Sequence, residues 1–178
     1  MNASQLSIRK ATVKDAGLLA AFGARTFEEA FGSQNSQEDI EEYLSSNFNV
    51  EHIRSQLVNR SSSFLLAYKG DRLVGYSMLR AGNAPDAVSG SKPIELVRIY
   101  IDGIHMGKGH GSRLMEACIE AATIAGHDVI WLGVWEKNES AITFYGKWDF
   151  KKVGTKDFIL GSDIQHDFIM ERIVSKAA

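Results

Sequence analysis

The stretch that decides the fold is Met106-Gly107-Lys108-Gly109-His110-Gly111-Ser112-Arg113-Leu114. It follows a branched, apolar strand predicted over residues 94–101 and opens a helix whose apolar residues recur at helical spacing as far as Gly126. Glycines let backbone N–H groups converge on one point, and a helix N-terminus adds about half a positive charge. A strand, a Gly-rich loop and a helix in this order predict an α/β domain that binds a pyrophosphate group at the loop.

Two other phosphate-binding motifs fail to match this loop. A P-loop is excluded because three residues, rather than four, separate Gly103 from Gly107, and because Lys108 is followed by Gly109 instead of Ser or Thr. The glycines also run as GxGxG, whereas the dinucleotide fingerprint is GxGxxG. Glu136 lies where a ribose-binding acid would be expected, so a nicotinamide cofactor stays an alternative. A Gly-rich turn without a ligand is the other alternative.

The remaining pattern predicts the element order βαααββ, β-loop-α, βα, ββ. Alternating or branched apolar runs predict strands, and apolar stripes at helical spacing predict helices. The predicted strands cover residues 6–12, 63–68, 73–79, 94–101, 129–134, 151–160 and 165–173, and the predicted helices cover 13–30, 36–48, 53–61, 111–126 and 138–148. Ser36 followed by Asp39 is a capping arrangement, and Asn138 is placed to cap the last helix.

Composition places the chain among globular proteins. Its 178 residues predict one domain over 1–178, with 44% hydrophobic and 24% charged residues. No stretch approaches the roughly 20 apolar residues of a membrane helix, and the first residues lack signal-peptide features, so we expect a cytoplasmic protein. The single cysteine, Cys118, excludes a disulfide framework and is predicted to be buried. His105 and His110 complete no ligand spacing, so no metal is expected.

Charge is unevenly distributed along the chain. Residues 26–51 contain seven acids and no Lys or Arg, whereas the rest of the chain has 20 basic residues against 15 acidic ones. A net charge of −2 argues against nucleic acid as a general partner. The acidic segment is either a solvated helical face or a surface that attracts a cationic substrate.

A second block completes the pattern. It contains Asn138, Ala141, Phe144, Tyr145 and Phe150. With Gly109 and Gly111 of the first block, it resembles the GNAT superfamily of acetyl-CoA-dependent N-acetyltransferases, whose motifs read Q/R-x-x-G-x-G/A and N-x-x-A-x-x-F-Y-x-x-x-G-F. The resemblance spans almost the whole chain. It implies a mixed α/β (α+β) fold, a twisted, mostly antiparallel sheet flanked by helices, in which two central parallel strands splay apart at the acetyl-CoA site.

Two positions depart from the family motifs. Met106 stands where Gln or Arg is usual, which removes a side-chain contact but keeps the backbone N–H groups. Asp149 stands where Gly is usual, and Asp tolerates a left-handed turn better than most residues. We therefore expect the fold to be kept at both positions.

A more specific resemblance concerns residues 26–49 and 131–138. These segments, including Phe27, Phe31 and Tyr43, are similar to the PaiA-type spermidine/spermine N-acetyltransferases of bacteria. The resemblance implies an acyltransferase that acetylates a small-molecule polyamine with acetyl-CoA as cosubstrate, and it allows a homodimer. Acetylation of another small amine or of a protein N-terminus, and a non-catalytic acetyl-CoA-binding regulator, stay as alternatives.

The resemblance also assigns site residues. The residues expected to bind the coenzyme are Ile99, Tyr100, Ile101, Met106, Gly107, Lys108, Gly109, His110, Gly111, Ser112, Asn138, Tyr145 and Lys147. The residues expected to bind the substrate are Phe27, Glu28, Phe31 and Tyr43.

The chemistry of amine acetylation suggests two catalytic residues. A Lys-like amine has a pKa of about 10.4 and must lose a proton before it attacks a thioester, so a carboxylate such as Glu95 is the candidate proton acceptor. Tyr145 is the candidate donor to the departing thiolate. Glu95 could instead be an ordinary strand acid, and Tyr145 an ordinary core aromatic.

Overall fold

A seven-stranded sheet forms the centre of the computed structural model, which describes residues 6–174. Along the chain the strands are β1 (Leu6–Lys10), β2 (Ser62–Lys69), β3 (Arg72–Ala81), β4 (Pro93–Ile101), β5 (Val129–Trp135), β6 (Lys151–Leu160) and β7 (Asp163–Ile173). They lie side by side in the order β1-β2-β3-β4-β5-β7-β6. Every neighbouring pair is antiparallel except β4 and β5. The mixed, mostly antiparallel sheet expected from the sequence is confirmed.

The parallel strands β4 and β5 separate soon after they begin. They are paired only between Pro93 and Glu95 on β4 and between Val129 and Trp131 on β5. Both strands continue for several residues beyond this pairing. The backbone edges that face each other beyond Glu95 therefore leave a V-shaped opening in the middle of the sheet, as the sequence predicted.

Five helices cover the two faces of the sheet. They are α1 (Ala16–Phe31), α2 (Gln37–Asn47), α3 (Val50–Val58), α4 (His110–Ile124) and α5 (Glu139–Gly146). Because strand side chains alternate between faces, Phe64 and Leu66 of β2 pack in the cluster that includes residues of α1 and α3, whereas Leu65 packs with the cluster of α4. Residues of α5 also pack on the α4 face.

Close backbone approach explains one strand glycine. A Cβ added to Gly75 on β3 would lie 2.7 Å from the carbonyl oxygen of Tyr100 and would also overlap the Ile101 side chain on β4. Gly75 therefore lets β3 and β4 pair where β4 leads into the Gly-rich loop.

Local details also confirm the sequence analysis. Each predicted strand and helix is present, with ends that differ by a few residues. Ser36 and Asn138 cap α2 and α5, and Asp149 adopts a left-handed φ of 62°. Cys118 is buried. No helix within residues 6–174 combines the length and the apolar character needed to cross a bilayer.

Candidate active site

A cleft of about 1310 Å³ opens where β4 and β5 separate. This volume exceeds the range of about 300–1,000 Å³ that is typical of sites for one small molecule, so the cleft has room for two reactants. We call the part lined by the Gly-rich loop, the end of β4 and α5 the coenzyme half. The part lined by α1, α2, α3, the middle of β4 and the strands β6 and β7 is, after the expectation from the sequence, called the acceptor half.

The Gly-rich loop borders the coenzyme half. Gly107 and Gly109 have φ values of 71° and 80°, a left-handed conformation that favours glycine. Gly109 is also the N-cap residue of α4, so the first N–H groups of a 15-residue helix lie at the cleft. The loop can therefore present backbone donors and the positive end of the helix dipole to a pyrophosphate.

Most residues assigned to the coenzyme line this cleft. They are Ile99, Tyr100, Ile101, Met106, Gly107, Gly109, Gly111, Ser112, Asn138 and Tyr145. Three others lie outside the lining. Lys108 donates a hydrogen bond from Nζ to the carbonyl oxygen of Ile104 at 2.7 Å, Lys147 is exposed at the end of α5, and the half-buried His110 begins α4.

Asn138 is held by its capping role. Its Oδ1 accepts a hydrogen bond from the backbone N–H of Ala141 at 3.1 Å. The side-chain amide N–H groups are not used in this cap and remain available to a ligand in the cleft.

Tyr145 lies on α5 with its ring between those of Phe144 and Phe150, whose centroids are 5.6 and 5.8 Å away. Burial raises the pKa of its phenol well above the ordinary value, with a smaller contribution from Cys118. Tyr145 therefore packs in the α4-side core and also lines the cleft with a phenol that is protonated at neutral pH.

Aromatic rings line the acceptor half. The rings of Phe27 and Tyr43 stack with centroids 4.6 Å apart, and Phe31 lies 4.7 Å from Phe27. Phe158 of β6 meets Tyr43 edge-on at 5.5 Å. The three aromatic residues assigned to the substrate are therefore together at the cleft, whereas Glu28 is exposed on α1 outside its lining.

Glu95 lines the cleft but is already engaged. Its Oε2 accepts hydrogen bonds from the guanidinium of Arg80 on β3, at 2.6 and 3.1 Å. The carboxylate is mostly buried, with 12% of its side chain exposed. A proton-accepting role for Glu95 would have to compete with this ion pair.

Asp167 is a carboxylate that sequence reasoning missed. It lies on β7 opposite Trp135, lines the cleft and is 7% exposed. Gly133 makes room for it, since an added Cβ would lie 3.0 Å from the Asp167 carboxylate and 2.9 Å from Nζ of Lys156. Burial raises the pKa of Asp167, and the nearby Lys156 opposes this effect. Because β7 also contains Gln165, His166 and Glu171, the composition of the strand did not single out Asp167.

Arg98 on β4 is the second site residue that the sequence analysis missed. It is 7% exposed and lines the cleft. One guanidinium nitrogen donates to Oε1 of Gln56 on α3 at 3.2 Å, and the guanidinium lies 4.6 Å from the centre of the Phe48 ring. A charged residue within a run of branched apolar residues was the available signal.

Comparisons with known proteins agree with this geometry. The model of the Acetyltransferase (GNAT) family matches residues 25–150. An uncharacterized N-acetyltransferase of Mycobacterium tuberculosis is 34% identical over 158 residues, which are 89% of this chain and 97% of the relative. The spermine/spermidine N(1)-acetyltransferase of Bacillus subtilis is 33% identical over 94 residues, which are 52% of this chain and 61% of that protein.

A solved structure shares the fold over nearly the whole chain. The PaiA N-acetyltransferase of Thermoplasma acidophilum, in complex with coenzyme A, superposes with a TM-score of 0.76 at 23% identity. The match covers 95% of this chain and 99% of the other.

Proposed function

Because the chain belongs to the Acetyltransferase (GNAT) family, we propose that it transfers the acetyl group of acetyl-CoA to a primary amine of a small molecule, and that polyamines such as spermidine and spermine are among its acceptors. The observation that carries the proposal is the single cleft that joins a pyrophosphate-binding loop, a separated pair of strands and a phenol.

The residues of the coenzyme half fit acetyl-CoA. The left-handed glycines and the N-terminus of α4 suit its pyrophosphate. The pantetheine arm is an extended chain with amide groups, and the open backbone edge of β4 from Ile99 to Ile101 can pair with it as a strand would. The relative from Thermoplasma acidophilum, which has the same fold, is a complex with coenzyme A.

The first chemical step is removal of a proton from the ammonium group. Glu95 stays a candidate acceptor, although Arg80 already occupies one of its oxygens. Asp167 is the stronger candidate, because its carboxylate forms no hydrogen bond or ion pair within the described residues and burial makes it more basic. The neutral amine then attacks the thioester carbonyl, a C–N bond forms, and the carbonyl oxygen becomes negative.

The remaining steps use groups of β4 and α5. Backbone N–H groups near Ile99 and Ile101 would stabilise the negative oxygen. When the C–S bond breaks, the electron pair leaves with sulfur, and the Tyr145 phenol donates the proton that completes the thiol. The nitrogen, which is positively charged after the attack, loses its second proton, and this proton restores the Tyr145 phenol through solvent. The products are the N-acetylated amine and coenzyme A.

Support for polyamines comes from the relatives and from the aromatic walls. The spermine/spermidine acetyltransferase of Bacillus subtilis shares about half of this chain, and rings such as Phe27 and Tyr43 attract organic cations. Of the acids in residues 26–51, only Glu29 is among the residues that line the cleft. The segment would therefore act mainly by long-range attraction of the substrate.

A thiol-release assay with a panel of amines tests the proposal. We expect spermidine and spermine to release coenzyme A thiol faster than butylamine does. Substituting Glu28, Glu38, Glu41 and Glu42 with Gln in pairs should raise KM for spermine more than KM for butylamine at 0.1 M salt. At about 1 M salt, where the Debye length falls to about 3 Å, the difference should vanish.

The outcomes separate the alternatives. If no amine or peptide N-terminus accepts an acetyl group although acetyl-CoA binds, the protein is a coenzyme-binding regulator instead of an enzyme. Acetylation of peptide N-termini alone would contradict the small-molecule assignment. If every paired variant has the same ratio of KM for spermine to KM for butylamine as the unmodified protein, the acidic segment is only a solvated face.

A further inference from the structure

A permanent positive charge is buried in the acceptor half without a negative partner. Arg98 is 7% exposed, and an arginine stays charged at any physiological pH. Within residues 6–174, its guanidinium donates to the neutral amide of Gln56 and lies against the ring of Phe48, and it forms no ion pair with a carboxylate. The buried Tyr76 hydroxyl also faces Arg98: burial raises the pKa of Tyr76, and Arg98 lowers it. Burying an unpaired charge is unfavourable, so this position calls for an anion from outside the chain.

The other arginines near the cleft, unlike Arg98, are paired with carboxylates. Arg80 is paired with Glu95 through two hydrogen bonds, and Arg25 contacts both Glu29 and Asp102. These guanidinium groups are neutralised within the protein. Arg98 is the one whose charge is left for a ligand among the arginines that line the described cleft.

Arg98 has guanidinium N–H groups that its hydrogen bond to Gln56 does not use. Gln56 accepts a hydrogen bond from one terminal nitrogen, and Phe48 lies against the guanidinium at 4.6 Å. Arg98 itself lines the cleft, so the remaining N–H groups can be reached from there. A carboxylate accepts two parallel N–H bonds from such a fork, whereas an ammonium group would be repelled.

A negative group lies in the same half of the cleft. Asp167 is equally buried and forms no hydrogen bond or ion pair within the described residues. Lys156 lies directly opposite it on β6 and opposes the rise in its pKa that burial causes. Burial raises the pKa of the Tyr43 hydroxyl, Arg98 lowers it, and Asp167 raises it. Arg98 and Asp167 line the same cleft, so one small molecule can contact both groups.

We infer that the preferred acceptor is a small amine that also carries a carboxylate, with Arg98 binding the carboxylate and Asp167 facing the amine. The inference rests on the proposed acetyl transfer to small amines and narrows its acceptor class. Such a molecule would supply the anion that Arg98 lacks and an amine for Asp167, whereas a polyamine has no anion for Arg98. Polyamines would then be weaker acceptors held by Asp167 and the aromatic walls.

The test compares amino acids with their decarboxylated amines. The pairs are lysine with 1,5-diaminopentane, ornithine with 1,4-diaminobutane, and 4-aminobutyrate with propylamine. Both kcat/KM for acetylation and affinity for the coenzyme A-bound protein by calorimetry are measured. We expect at least one amino acid to exceed its partner by about 30-fold or more, as is typical of a buried charge pair.

Variants of Arg98 test whether this residue causes the preference for amino acids. Arg98→Met should abolish the preference by lowering kcat/KM and affinity for the amino acids far more than for the decarboxylated amines, and Arg98→Lys should restore only part of it because lysine lacks the planar fork. Arg54→Gln removes an exposed arginine of α3 and is the matched control. Because Arg98→Met removes an unpaired buried charge, it should unfold at no lower temperature than the unmodified protein.

Three results would overturn the inference. One is that no amino acid is bound or acetylated better than its decarboxylated partner, and another is that Arg98→Met keeps the preference. The third is a preference for 3-aminopropylphosphonate over 4-aminobutyrate, which would contradict the carboxylate assignment. Since calorimetry does not require turnover, binding decides the inference even if no amine is acetylated, an outcome that would contradict only the proposed function.

Discussion

Substitution of Gly109 with Ala tests the Gly-rich loop most directly. Gly109 has a φ of 80° at the N-cap of α4, and an added Cβ would meet no heavy atom of the protein within 4 Å. The cost is therefore conformational, about 1–2 kcal/mol for an L-residue in this region. If the loop of the free protein can relax to a conformation that suits Ala, the cost is paid on binding, and acetyl-CoA affinity should fall about 5- to 30-fold. If the loop cannot relax, the same amount of about 1–2 kcal/mol should be lost from the free energy of unfolding.

Calorimetry with acetyl-CoA and urea unfolding of the same preparation measure the two effects. Gly17→Ala is the control, because Gly17 is exposed in α1, has open space around it and should gain about 0.5–1 kcal/mol of stability. Gly109→Asn should lose less affinity or stability than Gly109→Ala, since Asn tolerates left-handed φ values. Wild-type affinity and stability in Gly109→Ala would refute the argument. Equal or greater loss in Gly109→Asn would mean that a side chain obstructs the coenzyme.

Three further predictions concern catalysis and stability. Tyr145→Phe should lower kcat by about 100-fold and leave acetyl-CoA affinity unchanged. Single-turnover rates and calorimetry measure the two effects. A purely structural role predicts instead a lower melting temperature with kcat intact. Asp167→Asn should remove the decline of kcat/KM at low pH and lower kcat by at least about 100-fold. If Glu95→Gln has these two effects and Asp167→Asn does not, Glu95 is the proton acceptor. Arg9 lowers the pKa of Asp15 from 3.8 to about 2, so this ion pair stabilises the fold above pH 4 by about 2 kcal/mol and loses that contribution between about pH 4 and 2. Asp15→Asn should therefore be less stable than the unmodified protein at pH 7 and equally stable near pH 2 in urea unfolding, and an equal difference at both pH values would contradict this.

The order of elements and the coenzyme loop could be predicted from sequence because their causes are local. Apolar periodicity marks each helix and strand, and glycine spacing marks the turns that need a left-handed φ. Asp149 illustrates the same point: its φ of 62° follows from its position just after α5, where the motif has Gly. The places of Gly109 at the start of α4 and of Tyr145 on α5 follow from the same local signals.

The charges of the acceptor half depend on which strands are neighbours. Asp167 lies on β7, where the pairing with β5 brings it near Gly133 and the pairing with β6 puts it directly opposite Lys156. Glu95 is paired because Arg80 lies directly across on β3. Sequence shows that these residues are charged, but no local rule says which of them are neutralised.

Arg98 shows most clearly what tertiary structure adds to the sequence. Strict alternation along β4 would put it on the same face as Ile94 and Leu96, which pack in the cluster of α4. The pairing with β3 instead skips Val97, so β4 contains a bulge and its alternation shifts by one residue. Arg98 consequently contacts Gln56 of α3 on the opposite face. The sequence by itself determined the elements and the Gly-rich loop, whereas one extra residue in a strand pair, visible only in three dimensions, placed the buried charge of Arg98 in the cleft.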